Sequence, residues 1–183
     1  MDAADFDSAV LGLGLPEAVR DALAEAGAPR SDAARAMAAL MRAQAAAPEH
    51  PAVLIALYRH HFYGHRLHAA RDVARQALVI GAAALQLPRV WREVEPRPLA
   101  GARDDPTTRF YLFVLKGYAY LSLRLDDPVE ARDALALLRA LDPEDHVGAA
   151  LLEAVRRRSG DTTAEEQPYV IATGAAAWAR LPA

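Results

Sequence analysis

Residues 107–143 read T-T-R-F-Y-L-F-V-L-K-G-Y-A-Y-L-S-L-R-L-D-D-P-V-E-A-R-D-A-L-A-L-L-R-A-L-D-P. Phe110, Phe113, Val114, Gly117, Tyr118, Tyr120 and Leu121 recur at helical spacing before the D-D-P turn, and Ala131, Leu135 and Leu138 after it. The pattern predicts two apolar helices joined by a tight turn. Such a hairpin leaves an apolar face in water unless similar units pack on both sides of it, so its neighbours decide the fold.

The flanking sequence supplies them. Leu15-Pro16 opens a helix with Val19, Leu23 and Ala26 inward, because proline suits the first helical position; Gly27 and Pro29 end it. Ser31 is the expected N-cap of the next helix, which carries Ala36, Met37, Leu40, Met41 and Ala43. A third helix spans Pro51 to Tyr63 and is closed by Gly64; a fourth begins near Leu67 and stops before Pro88. Residues 88–106 hold Pro96, Pro98, Trp91 and several charges, which favours an irregular insertion loop. A seventh helix is expected from Asp145 to Arg158, with Val147, Ala150, Leu151, Ala154 and Val155 inward. Residues 1–15 read as a lead-in folded onto the first helix, and 159–183 as a C-terminal tail or cap. Gly12 and Gly14 lack the third glycine and the preceding strand of a nucleotide-binding loop.

Composition narrows the function classes. A formal net charge of -3 argues against non-specific nucleic-acid binding, and Arg156-Arg157-Arg158 falls at a helix end, where cations offset the macrodipole. With no cysteine there is no disulfide, thiolate nucleophile or thiolate-bound metal. An acidic start without a secretory pattern, and no long uncharged apolar run, lead us to expect a cytoplasmic protein with neither a signal peptide nor a membrane span.

Spacing turns the helix count into an architecture. Ala36, Leu40 and Ala43 return as Ala70, Ala74 and Ala77, displaced by 70 - 36 = 34 residues, and again as Ala131, Leu135 and Leu138. A displacement of 34 is the tetratricopeptide period. Residues 16–158 therefore resemble the tetratricopeptide repeat (TPR) family: an all-α stack of antiparallel hairpins, about seven helices, interrupted by the 88–106 insertion. Departures are Tyr58 in place of a small glycine, Ala82 in place of the closing proline, and a longer turn within the third hairpin. The pieces L-Y-R-H-H-F-Y and F-Y-L-F-V-L-K-G-Y-A-Y-L are also similar to small TPR proteins encoded beside bacterial nitrogen-fixation genes. That resemblance implies an accessory role in nitrogenase maturation, assembly or electron supply.

The TPR resemblance further implies a concave groove lined by the first helix of each pair. Carried over, it places Ile55, Arg59, Phe62 and Tyr63 beside Tyr111, Val114, Tyr118 and Leu121, an aromatic surface with one cation. Aromatics and arginine anchor interfaces well, so the expectation is a non-catalytic adaptor or chaperone-like module that binds a peptide or helix of another protein. No cofactor is expected.

The rival reading is a metal-responsive protein using His60, His61, His65 and His68, since His61 and His65 have the i, i+4 spacing of a ligand pair. Gly64 falls between them, and Asp72 is the nearest carboxylate able to join. A homo-oligomer formed through the terminal helices is a third reading. No serine has a readable His and Asp arrangement, and Glu17, Asp32, Asp72, Glu130 and Asp133 suit first turns and polar faces, so an enzyme is not expected.

Overall fold

The computed structural model describes residues 3–10, 12–28 and 32–160. These form α1 (Ala3–Val10), α2 (Glu17–Gly27), α3 (Ala33–Ala46), α4 (Pro51–Tyr63), α5 (Leu67–Ala84), α6 (Pro106–Arg124), α7 (Pro128–Leu141) and α8 (Ala149–Gly160), with a 3-10 turn at Trp91–Glu93. The described chain is all-α, and the helix beyond the expected seven is α1. Antiparallel pairs α2/α3, α4/α5 and α6/α7 stack in order, α3 meeting α4 and α5 meeting α6. No described helix is long and apolar enough to cross a membrane.

Local chemistry sets the helix starts. Asp32, Asp105 and Asp127 accept the backbone N–H of Arg35 (2.7 Å), Thr108 (2.6 Å) and Glu130 (3.3 Å), each three residues on. Proline follows directly at 51, 106 and 128, where its missing N–H costs nothing. Ser31, the expected cap of α3, and residues 161–183, with Trp178, lie outside the described residues.

The repeated small residues are packing positions. Ala36, Ala70 and Ala131 are each the fourth residue of α3, α5 and α7, with exposures of 5, 0 and 0%. Leu40, Ala74 and Leu135 four residues on, and Ala43, Ala77 and Leu138 seven on, are buried as well. One stripe in each second helix therefore faces the stack, and its alanines allow close approach.

The turn of the third hairpin is not longer. Residues 64–66 and 125–127 are three-residue turns of one design: Arg66 N–H bonds His61 O, Asp127 N–H bonds Ser122 O, and His65 and Asp126 both have φ 56°. The hairpins are thus related by 125 - 64 = 61 residues. The excess over 34 comes from a longer α5 (18 residues against 14 in α3), a longer α6 (19 against 13 in α4) and the 85–105 connection in place of 47–50.

That connection is irregular but anchored. Trp91, Val94 and Ala102 are buried, Leu99 N–H bonds Leu141 O at 2.9 Å, and the 3-10 turn touches both α5 and α7. Gly101, at φ 79°, has no room for a Cβ against Asp105, the cap of α6.

Helix α8 corrects the sequence reading, beginning at Ala149 instead of Asp145. Asp145 (φ 59°) and Gly148 (φ 74°) interrupt helical backbone, and the Asp145 carboxylate caps the N–H groups of Ala149 and Ala150. The starting shift turns the helix: Ala149 and Leu152 are buried with Val147 of the turn, while Ala150, Leu151 and Ala154 are exposed.

If these alanines set the helix spacing, enlarging one should be costly. Ala70→Leu is expected to destabilise by about 1–3 kcal/mol in urea unfolding, against less than about 0.5 kcal/mol for Ala154→Leu on the exposed face of α8.

Candidate protein-binding face

Helices α4 and α6 are both antiparallel to α5 and so run parallel to each other. They meet where Tyr58 crosses Gly117: a Cβ on that glycine would sit 2.9 Å from the Tyr58 hydroxyl. A side chain there would displace the Tyr58 ring. From this crossing an aromatic row extends along α4. Phe62 stacks on Tyr58 (centroids 5.7 Å apart, rings 12° from parallel), meets Tyr63 edge-on at 5.4 Å and leans on Tyr120 of α6 at 5.8 Å. Burial pushes the Tyr58 hydroxyl pKa well up, with Tyr120 and Tyr63 adding to the effect. At the outer end Tyr63 is 54% exposed, and Arg124 donates to the Tyr120 hydroxyl at 2.9 Å.

The eight residues expected to line a groove divide. Ile55, Phe62 and Val114 are half-buried, and Arg59 and Tyr63 exposed, whereas Tyr111, Tyr118 and Leu121 lie in the core at 0, 2 and 0% exposure. Tyr118 points to the α5/α7 side, where Trp91 meets it edge-on at 5.9 Å, Arg75 lies over its ring, and its hydroxyl donates to Glu130. Tyr111 packs beside Gly81, and burial pushes its pKa up to about 12. The cause is helix register. With a displacement of 61, the counterparts of Ile55, Arg59, Phe62 and Tyr63 are Lys116, Tyr120, Leu123 and Arg124, none of which was expected. The turn itself carried the signal, since counting back from the D-D-P cap sets this register.

Helix α1 also belongs to this face. It packs chiefly on α4 and α6, and Phe6 shares a buried cluster with Val19 and Ala22 of α2. Phe6, 1% exposed, sits edge-on to Phe110 at 5.6 Å and 75°. Beyond α1, His50 Nε2 lies 3.4 Å from Leu13 O while its Nδ1 accepts the Ala52 N–H, so the proton resides on Nε2 and points at Leu13.

The histidines do not assemble. α4 ends at Tyr63, so His65, in the left-handed turn, is not on a helix face shared with His61. Arg66 donates to His61 Nδ1 at 3.1 Å, and Asp72 pairs with Arg75 at 2.9 Å. His68 is exposed on α5. Among the described residues no three His, Asp or Glu side chains converge as a metal site requires.

The chain is 38% identical over 154 residues, 83% of its length and 86% of the other's, to a protein of Azotobacter chroococcum mcd 1 described as "Uncharacterized 19.8 kDa protein in nifW 5'region". It belongs to the same family as that protein. No protein-family model matches the chain, and no solved structure matches it.

Burial first, then the Arg66 charge, holds the His60 and His61 pKa values below the usual 6.5. The unfolded chain takes up these protons near 6.5 and the folded chain only at lower pH. Unfolding therefore binds protons in that window, and stability falls as pH drops through it. His61→Gln should flatten the fall of the urea midpoint as pH drops below about 6.5, and an unchanged slope would remove His61 as a contributor.

Proposed function

We propose that this chain is a non-catalytic protein-binding module of the TPR kind, an adaptor or chaperone-like protein that receives a peptide or helix of another protein on the α4/α6 face. The observation that carries the reading is the aromatic row ending in Tyr63, a large ring 54% exposed beside Phe62, Tyr120 and two arginines, Arg59 and Arg124. Rings and guanidinium groups bury much area for little lost rotamer freedom, which makes them frequent binding anchors. The name of the Azotobacter relative places that protein in a nifW 5' region. On that basis, and on the resemblance read from the sequence, the partner belongs to nitrogenase maturation or assembly.

The acidic groups support a structural use of charge. Glu25 is held below the ordinary carboxylate range first by its hydrogen bond from Arg35, and Asp133 by Arg132 and then Arg92. Glu153, bonded by Arg156 and Arg157, is held at about 2. Each is engaged by arginine and stays ionised, which suits an ion pair and not a proton-transfer group at neutral pH.

Affinity purification of the tagged protein from its native cell, followed by quantitation of each captured protein, tests the reading. Tyr63→Ala and Tyr120→Ala should each lower capture of one and the same protein by about tenfold or more, with far-UV circular dichroism unchanged. Leu151→Ala, at an exposed site on α8, should leave capture intact. Equal capture by all four proteins would reject the face.

A further inference from the structure

The α4/α6 face carries cations without carboxylates beside them on its two helices. Neither α4, P-A-V-L-I-A-L-Y-R-H-H-F-Y, nor α6, P-T-T-R-F-Y-L-F-V-L-K-G-Y-A-Y-L-S-L-R, contains a carboxylate, although the whole chain has a net charge of -3. Many arginines on the other helices are paired with carboxylates: Arg35 and Arg42 with Glu25, Arg71 with Asp127, Arg75 with Asp72, Arg92 with Glu130 and Asp133, and Arg156 and Arg157 with Glu153. Arg59, Arg109 and Arg124 make no ion pair with a carboxylate among the described residues. Arg109 reaches Arg103 O and Arg124 reaches the Tyr120 hydroxyl, bonds that leave both charges uncompensated. Lys116 is committed differently, donating to Val147 O at 2.6 Å.

The chain itself seats a helix on this face. Helix α1, A-A-D-F-D-S-A-V, has two aspartates, no basic residue and one aromatic, and that aromatic is the ring seated on Phe110. Phe110 is the fifth residue of α6, while Tyr120 and Arg124 lie at the other end of the same helix. An acidic helix with an aromatic anchor thus occupies one end of the face, and the aromatic row with Arg59 and Arg124 forms the other.

We infer that the partner segment is an acidic amphipathic helix with an aromatic or leucine anchor, docking at the Tyr63 end of the face as α1 docks at the Phe110 end. The inference rests on the proposed function of this face and adds the chemistry of its ligand. The anchor seats against Phe62, Tyr63 and Tyr120, and the carboxylates meet Arg59 and Arg124. Charge complementarity of this kind sets partner choice and association rate more than affinity.

Three fluorescein-labelled helical peptides of about 14 residues test it, sharing one Leu/Phe stripe at i, i+3, i+4, i+7 spacing and carrying Glu, Gln or Lys at all other positions. Fluorescence anisotropy with the full chain should rank them Glu, Gln, Lys, with at least about tenfold between first and last. The gap should shrink at high salt and invert in the Arg59→Glu/Arg124→Glu double variant, whose sites are exposed. Equal affinities that all fall in Tyr63→Ala, or a preference for the Lys peptide that falls in the same way, overturn the acidic assignment and leave the groove reading standing. Binding indifferent to Tyr63→Ala, or no binding of any peptide, overturns both.

Discussion

Helix α6 can be gripped from both sides because two glycines give way to rings. A Cβ on Gly81 of α5 would lie 3.2 Å from Phe110 and 3.3 Å from Tyr111, and one on Gly117 of α6 would press into Tyr58 of α4. These gaps let aromatic side chains fill the spaces between helices without pushing the axes apart. A core built this way resists added volume more than lost polarity, because close-packed interiors have nowhere to move an extra carbon. Tyr58 and Val114 pack against both halves of the core, so the α4/α6 crossing joins the first hairpins to the last.

Gripping α6 also sorts its surface. Contact with α5 and α7 buries Tyr111, Leu115 and Tyr118, the seat of α1 buries Phe110, and a strip containing Phe113, Gly117, Tyr120 and Arg124 is left partly or wholly exposed. On the opposite side the insertion closes the space between α5 and α7 with Trp91, whose ring carries Arg92 at 4.4 Å. The Arg92 bonds to Glu130 and Asp133 are partly exposed and add about 1 kcal/mol or less apiece, so the buried Trp91 surface does most of the holding. One side of the stack is thus sealed by the chain's own insertion, and the other keeps its rings and cations.

Small residues recurring at matched helix positions made the fold legible, because packing distance is written directly into side-chain size: Ala36 and Ala70, 34 residues apart, and Ala131 after the insertion are recognisable without coordinates. The face was half legible. Ile55, Arg59, Phe62 and Tyr63 follow from α4 alone, but placing α6 beside it needed a register that the longer α5, α6 and insertion had hidden. Reading Tyr118 in place of Tyr120 rotates the chosen stripe by two residues, about 200° on a helix, from the outside to the core. The seat of α1 was not legible, since Phe6 is one aromatic in a short segment with no period. Nor was the start of α8, which depends on Asp145 and Gly148 adopting positive φ.

An eight-residue helix such as α1 cannot hold itself in water, because the cost of nucleation exceeds what so few backbone bonds return. Its helicity is a consequence of docking, and the docking depends on Phe6. One aromatic pair of this type contributes about 0.5–1.5 kcal/mol beyond the area it buries, which is small beside the ordering of the segment. What makes the seat specific is therefore the shape around Phe110, on a face whose two helices carry no carboxylate. The same two conditions hold at the Tyr63 end. A basic segment would add like charge to Arg59 and Arg124, and one without an anchoring ring or leucine would leave Tyr63 in water and gain too little to offset its own ordering.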